Sequence, residues 1–113
     1  MARIHDQLQK LGLNGNEATT YVALLEIGQG TLADLARKAK IKRTTLYDIV
    51  NCLKGKGLIS TIRSGGRLLY SAEDPRTLEN RLEEQRSTLA SMLPELLSVA
   101  NALPRKPKVR YYE

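Results

Sequence analysis

Residues 31–53 read TLADLARKAKIKRTTLYDIVNCL, from Thr31 to Leu53. Two apolar stripes of helical spacing lie in this stretch. Leu32, Leu35, Ala36 and Ala39 fall at i, i+3, i+4 and i+7, and Leu46, Ile49, Val50 and Leu53 repeat that spacing. Thr31 stands before the first stripe with Asp34 three residues on, the pairing of a capping box. Lys40-Ile41-Lys42 leaves room only for a short turn between the stripes. Two short helices joined by such a turn form a helix-turn-helix unit. Two alanines on the first stripe let the second helix approach closely, and Gly55 and Gly57 bracket the second helix's end.

Upstream, Ile4, Leu8 and Leu11 predict a short amphipathic helix that Gly12 ends. Asn14 and Glu17 form a second capping box, opening a helix whose buried stripe is Ala18, Tyr21, Val22 and Leu25. Gly28-Gln29-Gly30 breaks it. Downstream, the apolar period shortens. Leu58 to Arg63 and Arg67 to Ser71, rich in Ile, Thr, Leu and Tyr, flank Ser64-Gly65-Gly66 and predict a two-stranded hairpin. A hairpin directly after the second helix of the unit is a wing.

Asp74-Pro75 then predicts a last helix, with Asp74 as N-cap and Pro75 at its first position. Leu82, Leu89, Leu96 and Leu103 recur every seven residues, and Leu78, Gln85, Met92 and Val99 fill the other seam position of a coiled coil. Pro94 interrupts this helix and is expected to bend or split it. The fold class is therefore mainly α: a winged helix-turn-helix domain with a two-stranded β-hairpin wing and a long C-terminal coiled-coil helix. Residues 1–72 form the winged domain, 73–103 the dimerisation helix and 104–113 an extended basic tail.

Composition narrows the function. The chain of 113 residues carries a net charge of +6, which points to an anionic partner. The charge is uneven. Nine cations lie between Arg37 and Arg67 against Asp48 alone, whereas six carboxylates outnumber three arginines between Glu73 and Glu95. A basic middle third is the footprint of nucleic acid. Cys52 is the only cysteine and His5 the only histidine, so neither a disulfide nor a zinc site of ordinary ligand count is expected. No cofactor is expected. No apolar run is long enough to span a bilayer, and the N-terminus lacks a signal segment, so a cytoplasmic location without membrane partners is expected. No nucleophile–base pair, phosphate loop or nucleotide fingerprint occurs, which argues against an enzyme.

The second helix of the unit suits the major groove. Its buried stripe leaves Arg43, Thr44, Thr45, Tyr47, Asp48 and Asn51 on or beside the outer face. Arg43 is placed to read guanine with two hydrogen bonds, and Thr44 or Thr45 to bond a base or touch a thymine methyl. Tyr47 either stacks on sugar, bonds a phosphate, or lies across the neighbouring helix. Lys42, Lys54 and Lys56 suit backbone phosphates. Arg67, beside the glycine turn, suits a minor groove with Arg63 in support, and the first helix of the unit offers a phosphate its N-terminal N–H groups near Thr31. Asp48 is expected to pair with a cation, the alternative being to accept from cytosine, and Cys52, flanking the stripe, to pack, the alternative being a thiol sensor.

Several segments resemble the TrmB-like transcriptional regulators: Leu11-Gly12-Leu13, Asn16-Glu17-Ala18, Tyr21, Ala23-Leu24-Leu25, Ile41 to Val50, Lys56-Gly57-Leu58-Ile59, Tyr70-Ser71-Ala72 and Pro75. The resemblance implies a winged helix, dimerisation and promoter binding, with Arg43 to Asp48 opening the recognition helix. Residues 106–113 look like the lead into the family's effector domain. Longer members carry a sugar-binding domain after this point. No such segment follows in this sequence, so no small-molecule ligand is expected. Lys40 departs from the glycine expected after the third helix. Either the turn differs or a left-handed lysine is accepted at a cost on the order of 1 kcal/mol.

A lone helix would leave its seam in water, and burying each leucine stabilises by roughly 1.5–3 kcal/mol. A homodimer through Leu78, Leu82, Leu89, Met92, Leu96, Val99 and Leu103 is therefore expected, rather than a helix folded back on its own domain. Arg81 and Arg86 would face each other across a parallel seam, which favours an antiparallel one without deciding it. The function expected is sequence-specific binding of double-stranded DNA by a dimeric transcriptional regulator. The alternatives are a non-specific DNA-coating protein of the same fold, or a winged-helix protein–protein module.

Overall fold

Both capping boxes form. In the computed structural model, which describes residues 2–102, the Asn14 side chain accepts from the Glu17 N–H at 2.8 Å and the Glu17 carboxylate accepts from the Asn14 N–H at 2.9 Å. Thr31 and Asp34 repeat the exchange at 3.2 and 3.0 Å. These caps open α2 (Gly15–Ile27) and α3 (Leu32–Ala39). Before them lies α1 (Ala2–Lys10), and after them α4 (Arg43–Gly55). Lys40 caps α3 in the left-handed region at φ 59°, ψ 42°, so the cost of a non-glycine cap is accepted.

The core forms where α2, α3 and α4 meet the sheet. Tyr21, Leu24, Leu35, Leu46, Val50, Leu53 and Leu58 are almost wholly removed from water. The expected stripe of α4 holds throughout, but that of α2 does not. Leu25 is exposed, and Glu17, Thr20 and Leu24 are buried with Ala18 and Tyr21. Neighbours on more than one side bury α2, so its burial is wider than a single stripe.

The hairpin comprises β2 (Ile59–Ser64) and β3 (Arg67–Ala72), antiparallel, with Ser64 opposite Arg67 and Ile59 opposite Ala72. The sheet has a third strand that the sequence did not reveal. Gln29–Gly30, read as a mere break, forms β1 and pairs with Ser71 and Tyr70 of β3, giving the order β1-β3-β2. Gly30 fits closely there, since a Cβ would come within 3.1 Å of both Asp34 Cβ and Ile27 Cδ1 and would need these neighbours to shift by a few tenths of an ångström.

Two further expectations are corrected and a third, at Pro94, loses one of its two alternatives. The last helix, α5, runs Thr77–Asn101 and does not begin at Pro75. Asp74 accepts from the Arg76 N–H at 2.8 Å and from its guanidinium, while its carbonyl accepts from the Thr77 N–H, so Pro75 and Arg76 belong to a turn. Pro94 does not split α5, which continues through it. The Ala90 carbonyl, which loses a donor there, belongs to an exposed residue. Cys52 does not pack; it is exposed.

The chain divides into two compact units, Met1–Thr77 and Leu78–Glu113. Within the second, α5 spans about 37 Å at 1.5 Å per residue. No described residue of α5 is buried, and Leu82, Leu89, Met92, Leu96 and Val99 are all exposed. Leu103 and the tail from 104 to 113 lie outside the described residues. No helix among the described residues is long and apolar enough to cross a membrane.

Candidate nucleic-acid interface

Burial of Leu46, Ile49, Val50 and Leu53 fixes the rotation of α4 about its axis. Arg43, Thr44, Thr45, Tyr47, Asp48 and Asn51 are thereby exposed on its other side. The N-cap of α4 is Lys42, whose side chain makes no capping bond to the first-turn N–H groups of this helix. The amino terminus of α3 is different. The Thr31 hydroxyl oxygen is engaged by the Asp34 N–H and the Thr31 N–H by the Asp34 carboxylate. Hydrogen bonding to the carboxylate from the Thr31 backbone N–H and then from the Thr31 side chain, followed by the Arg37 guanidinium, holds the Asp34 carboxyl below the usual carboxylate range. The capping box thus engages the Thr31 and Asp34 N–H groups, two of those at this helix start.

Two adjoining depressions open on this side. One, of about 610 Å³, is lined by Leu32, Arg43, Thr44 and Tyr47. The other, of about 290 Å³, is lined by Thr31, Leu32, Ala33, Arg43, Tyr47, Arg67, Leu68 and Tyr70. The fold therefore brings together Thr31 from the start of α3, Arg43, Thr44 and Tyr47 from α4, and Arg67 from the wing. Arg63 lies opposite Leu68 in the hairpin and so shares its face. Lys42 adjoins Arg43. Thr45 is exposed but lines neither depression. Lys54 is eleven residues along α4 from Arg43, about 16 Å away. Tyr47 is 56% exposed and does not bury itself across α3. Its neighbour Tyr70 is buried; that burial, and then the nearness of Tyr47, raise the Tyr70 hydroxyl pKa.

Charge pairing separates the cations. Lys42, Arg43, Lys54, Arg63 and Arg67 form no ion pair among the described residues. Lys56, expected at a phosphate, is taken: its Nζ donates to both carboxylate oxygens of buried Glu17 at 2.8 and 3.0 Å and to the Gly12 carbonyl at 3.3 Å. Asp48 makes no ion pair among the described residues either, contrary to expectation. Such a surface can donate hydrogen bonds and positive charge to an anionic polymer. Among the described residues no three of His, Cys, Asp and Glu gather as metal ligands would.

Reading by stripes missed Leu32, Leu68 and Tyr70 as lining residues. For Leu32 a signal was available. Side chains on a helix lean toward its N-terminus, so an apolar residue at the first position points past the helix end.

Residues 8–76 match the family of sugar-specific transcriptional regulators TrmB. The chain belongs to the TrmB family. It is 30% identical over 81 residues to the HTH-type sugar sensing transcriptional regulator TrmBL1 of Pyrococcus furiosus, which covers 72% of this chain and 24% of that protein. The chain thus spans about a quarter of that TrmB relative's length. Among solved structures it is similar to TrmBL2, an archaeal chromatin protein, with a TM-score of 0.62 and 26% identity over 93% of this chain and 44% of that one. A possible transcriptional regulator of Methanosarcina mazei shares the fold at a TM-score of 0.62 and 16% identity, over 80% of this chain and 82% of that one. The matching family and TrmBL1 carry the description of transcriptional regulators, and TrmBL2 that of a chromatin protein with a novel mode of DNA binding.

Proposed function

We propose that this TrmB-family chain binds double-stranded DNA sequence-specifically as a homodimer and regulates transcription. The observation that carries the reading is the convergence of Arg43, Thr44, Tyr47 and Arg67 around adjoining depressions. In this reading α4 enters the major groove, where Arg43 and Thr44 reach base edges. Lys42 and Lys54 neutralise phosphates, Thr45 donates its hydroxyl hydrogen to the backbone, the start of α3 at Thr31 faces a phosphate, and Arg67 with Arg63 extends the contact through the wing. The exposed seam of α5 pairs with a second copy, and two recognition helices on one duplex call for half-sites about 34 Å apart or a multiple of that.

The likeness to TrmBL2, a chromatin protein, favours a second reading, in which the same surface coats DNA without regard to sequence. Fluorescence anisotropy with a labelled duplex, over several salt concentrations and with unrelated competitor DNA, separates the two. A dimer touching about 6–8 phosphates gives a log–log salt slope near −5 to −7. That slope with sequence-dependent competition supports regulation. The same slope with indifferent competition supports coating. Absence of binding at low salt overturns both.

A further inference from the structure

The larger depression is not built for a phosphate. Its lining residues are Leu32, Arg43, Thr44 and Tyr47, around about 610 Å³ of open space. A phosphate notch is walled by donors. Here two of the four walls are an isobutyl group and a phenol ring, Thr44 adds a methyl group, and Arg43 alone brings charge. No carboxylate lines it. Leu32 is the first residue of α3, and Tyr47 stands on the exposed face of α4, so the walls come from both helices of the helix-turn-helix unit. Water gains little against such walls, and an apolar group entering the space is favoured.

Resting on the DNA-binding reading above, we propose that the notch between Leu32 and Tyr47 receives the C5 methyl of a thymine, which makes these two side chains specificity-determining residues. Among the four bases, only thymine presents a methyl group in the major groove. Arg43 and Thr44 on the same rim supply the polar contacts to neighbouring base edges that bring the methyl to the notch. Leu32 would act here without any hydrogen bond to DNA, through apolar contact alone. Burying one methyl changes affinity about four-fold.

The test compares a labelled alternating dA–dT duplex with the same duplex carrying deoxyuridine in place of thymidine. Uracil keeps every hydrogen-bonding group of thymine and lacks only the methyl. The full chain is expected to bind the uracil duplex about four-fold more weakly per contacted thymine, with an unchanged salt slope. Leu32→Ala, and separately Tyr47→Ser, should bring the ratio toward one. Leu32 is only partly buried and Tyr47 is exposed, and circular dichroism verifies that each variant is folded. Equal binding of both duplexes by the unmodified protein overturns the inference while leaving DNA binding intact. A ratio that survives in both variants places the methyl contact elsewhere and also overturns it. Failure to bind either duplex at low salt overturns the DNA-binding reading and this inference with it.

Discussion

Arg43 and Lys54 are both exposed cations of α4 without an ion pair among the described residues, yet their surroundings differ. Arg43 lines both depressions at the amino end, while Lys54 stands in the last turn. Arg43→Ala is expected to cost about 1–3 kcal/mol on a preferred sequence and to relax specificity, whereas Lys54→Ala weakens all sequences alike. Anisotropy with matched and mismatched duplexes checks this, and equal losses on every sequence from Arg43→Ala would remove base reading from that residue. Lys56 belongs to a different class. It is the partner of Glu17, whose side chain is 4% exposed against 26% for Lys56. Lys56→Met is expected to destabilise the fold by about 2–3 kcal/mol in urea denaturation, because it takes the cation from a buried carboxylate that then keeps its charge without a counter-ion from Lys56. If stability is unchanged, the pair is not structural. Much of the candidate site was legible because the helical period alone assigns Arg43, Thr44 and Tyr47 to the outer side of α4. Lys56 was misread because its partner is 39 residues away in sequence, and spacing along one helix carries no information about that.

At the scale of elements, local chemistry was legible where it is complete within a few residues. The Asn14–Glu17 and Thr31–Asp34 exchanges close over three residues, and both helices start where those pairs stand. β1 was not legible, since two residues including a glycine have no alternation to show, and their pairing with Ser71 and Tyr70 is long-range. The start of α5 was displaced because Asp74 bonds Arg76 rather than capping a helix that begins at Pro75. Two predictions belong here. Lys40→Gly relieves the left-handed cap of α3 and should raise stability by about 1 kcal/mol in thermal or denaturant unfolding, with no change expected if the turn carries no strain. Asp34 has a folded pKa below its ordinary value of 3.8, held down first by its bond from the Thr31 backbone. Its contribution is present in full above that ordinary value and is lost as the pH falls through the lowered one. Asp34→Asn should therefore flatten part of the acid limb of the stability curve. The remaining slope is expected to come in part from Asp74, which Arg76 holds low in the same way.

At the scale of the whole molecule, the proposed dimer rests on what α5 leaves uncovered. The heptad was legible because seven-residue spacing is a property of one helix, and α5 is a single helix through Pro94. What it pairs with is not written in that spacing. The exposed seam places Leu82, Leu89, Met92 and Leu96 at 40–51% exposure and Val99 at 67%. Each leucine is already about half shielded, so covering it contributes about half of the roughly 1.5–3 kcal/mol of full burial, and several must be covered together to exceed the cost of association. The charge argument for an antiparallel seam weakens at Arg86, whose guanidinium donates to Glu83 of its own helix at 3.1 Å and is partly neutralised there. Leu89→Asp combined with Leu96→Asp puts two carboxylates at seam positions one heptad apart, on either side of Met92. Paired helices would then hold four like charges in apolar surroundings, and separation is favoured. Light scattering should report a monomer for this variant and a dimer for the unmodified chain. The DNA salt slope should fall by about half, since a single winged domain releases half the counterions. A dimeric mass for the double variant would remove the α5 seam as the interface. A monomeric mass with an unchanged slope would show that one chain alone makes all the phosphate contacts.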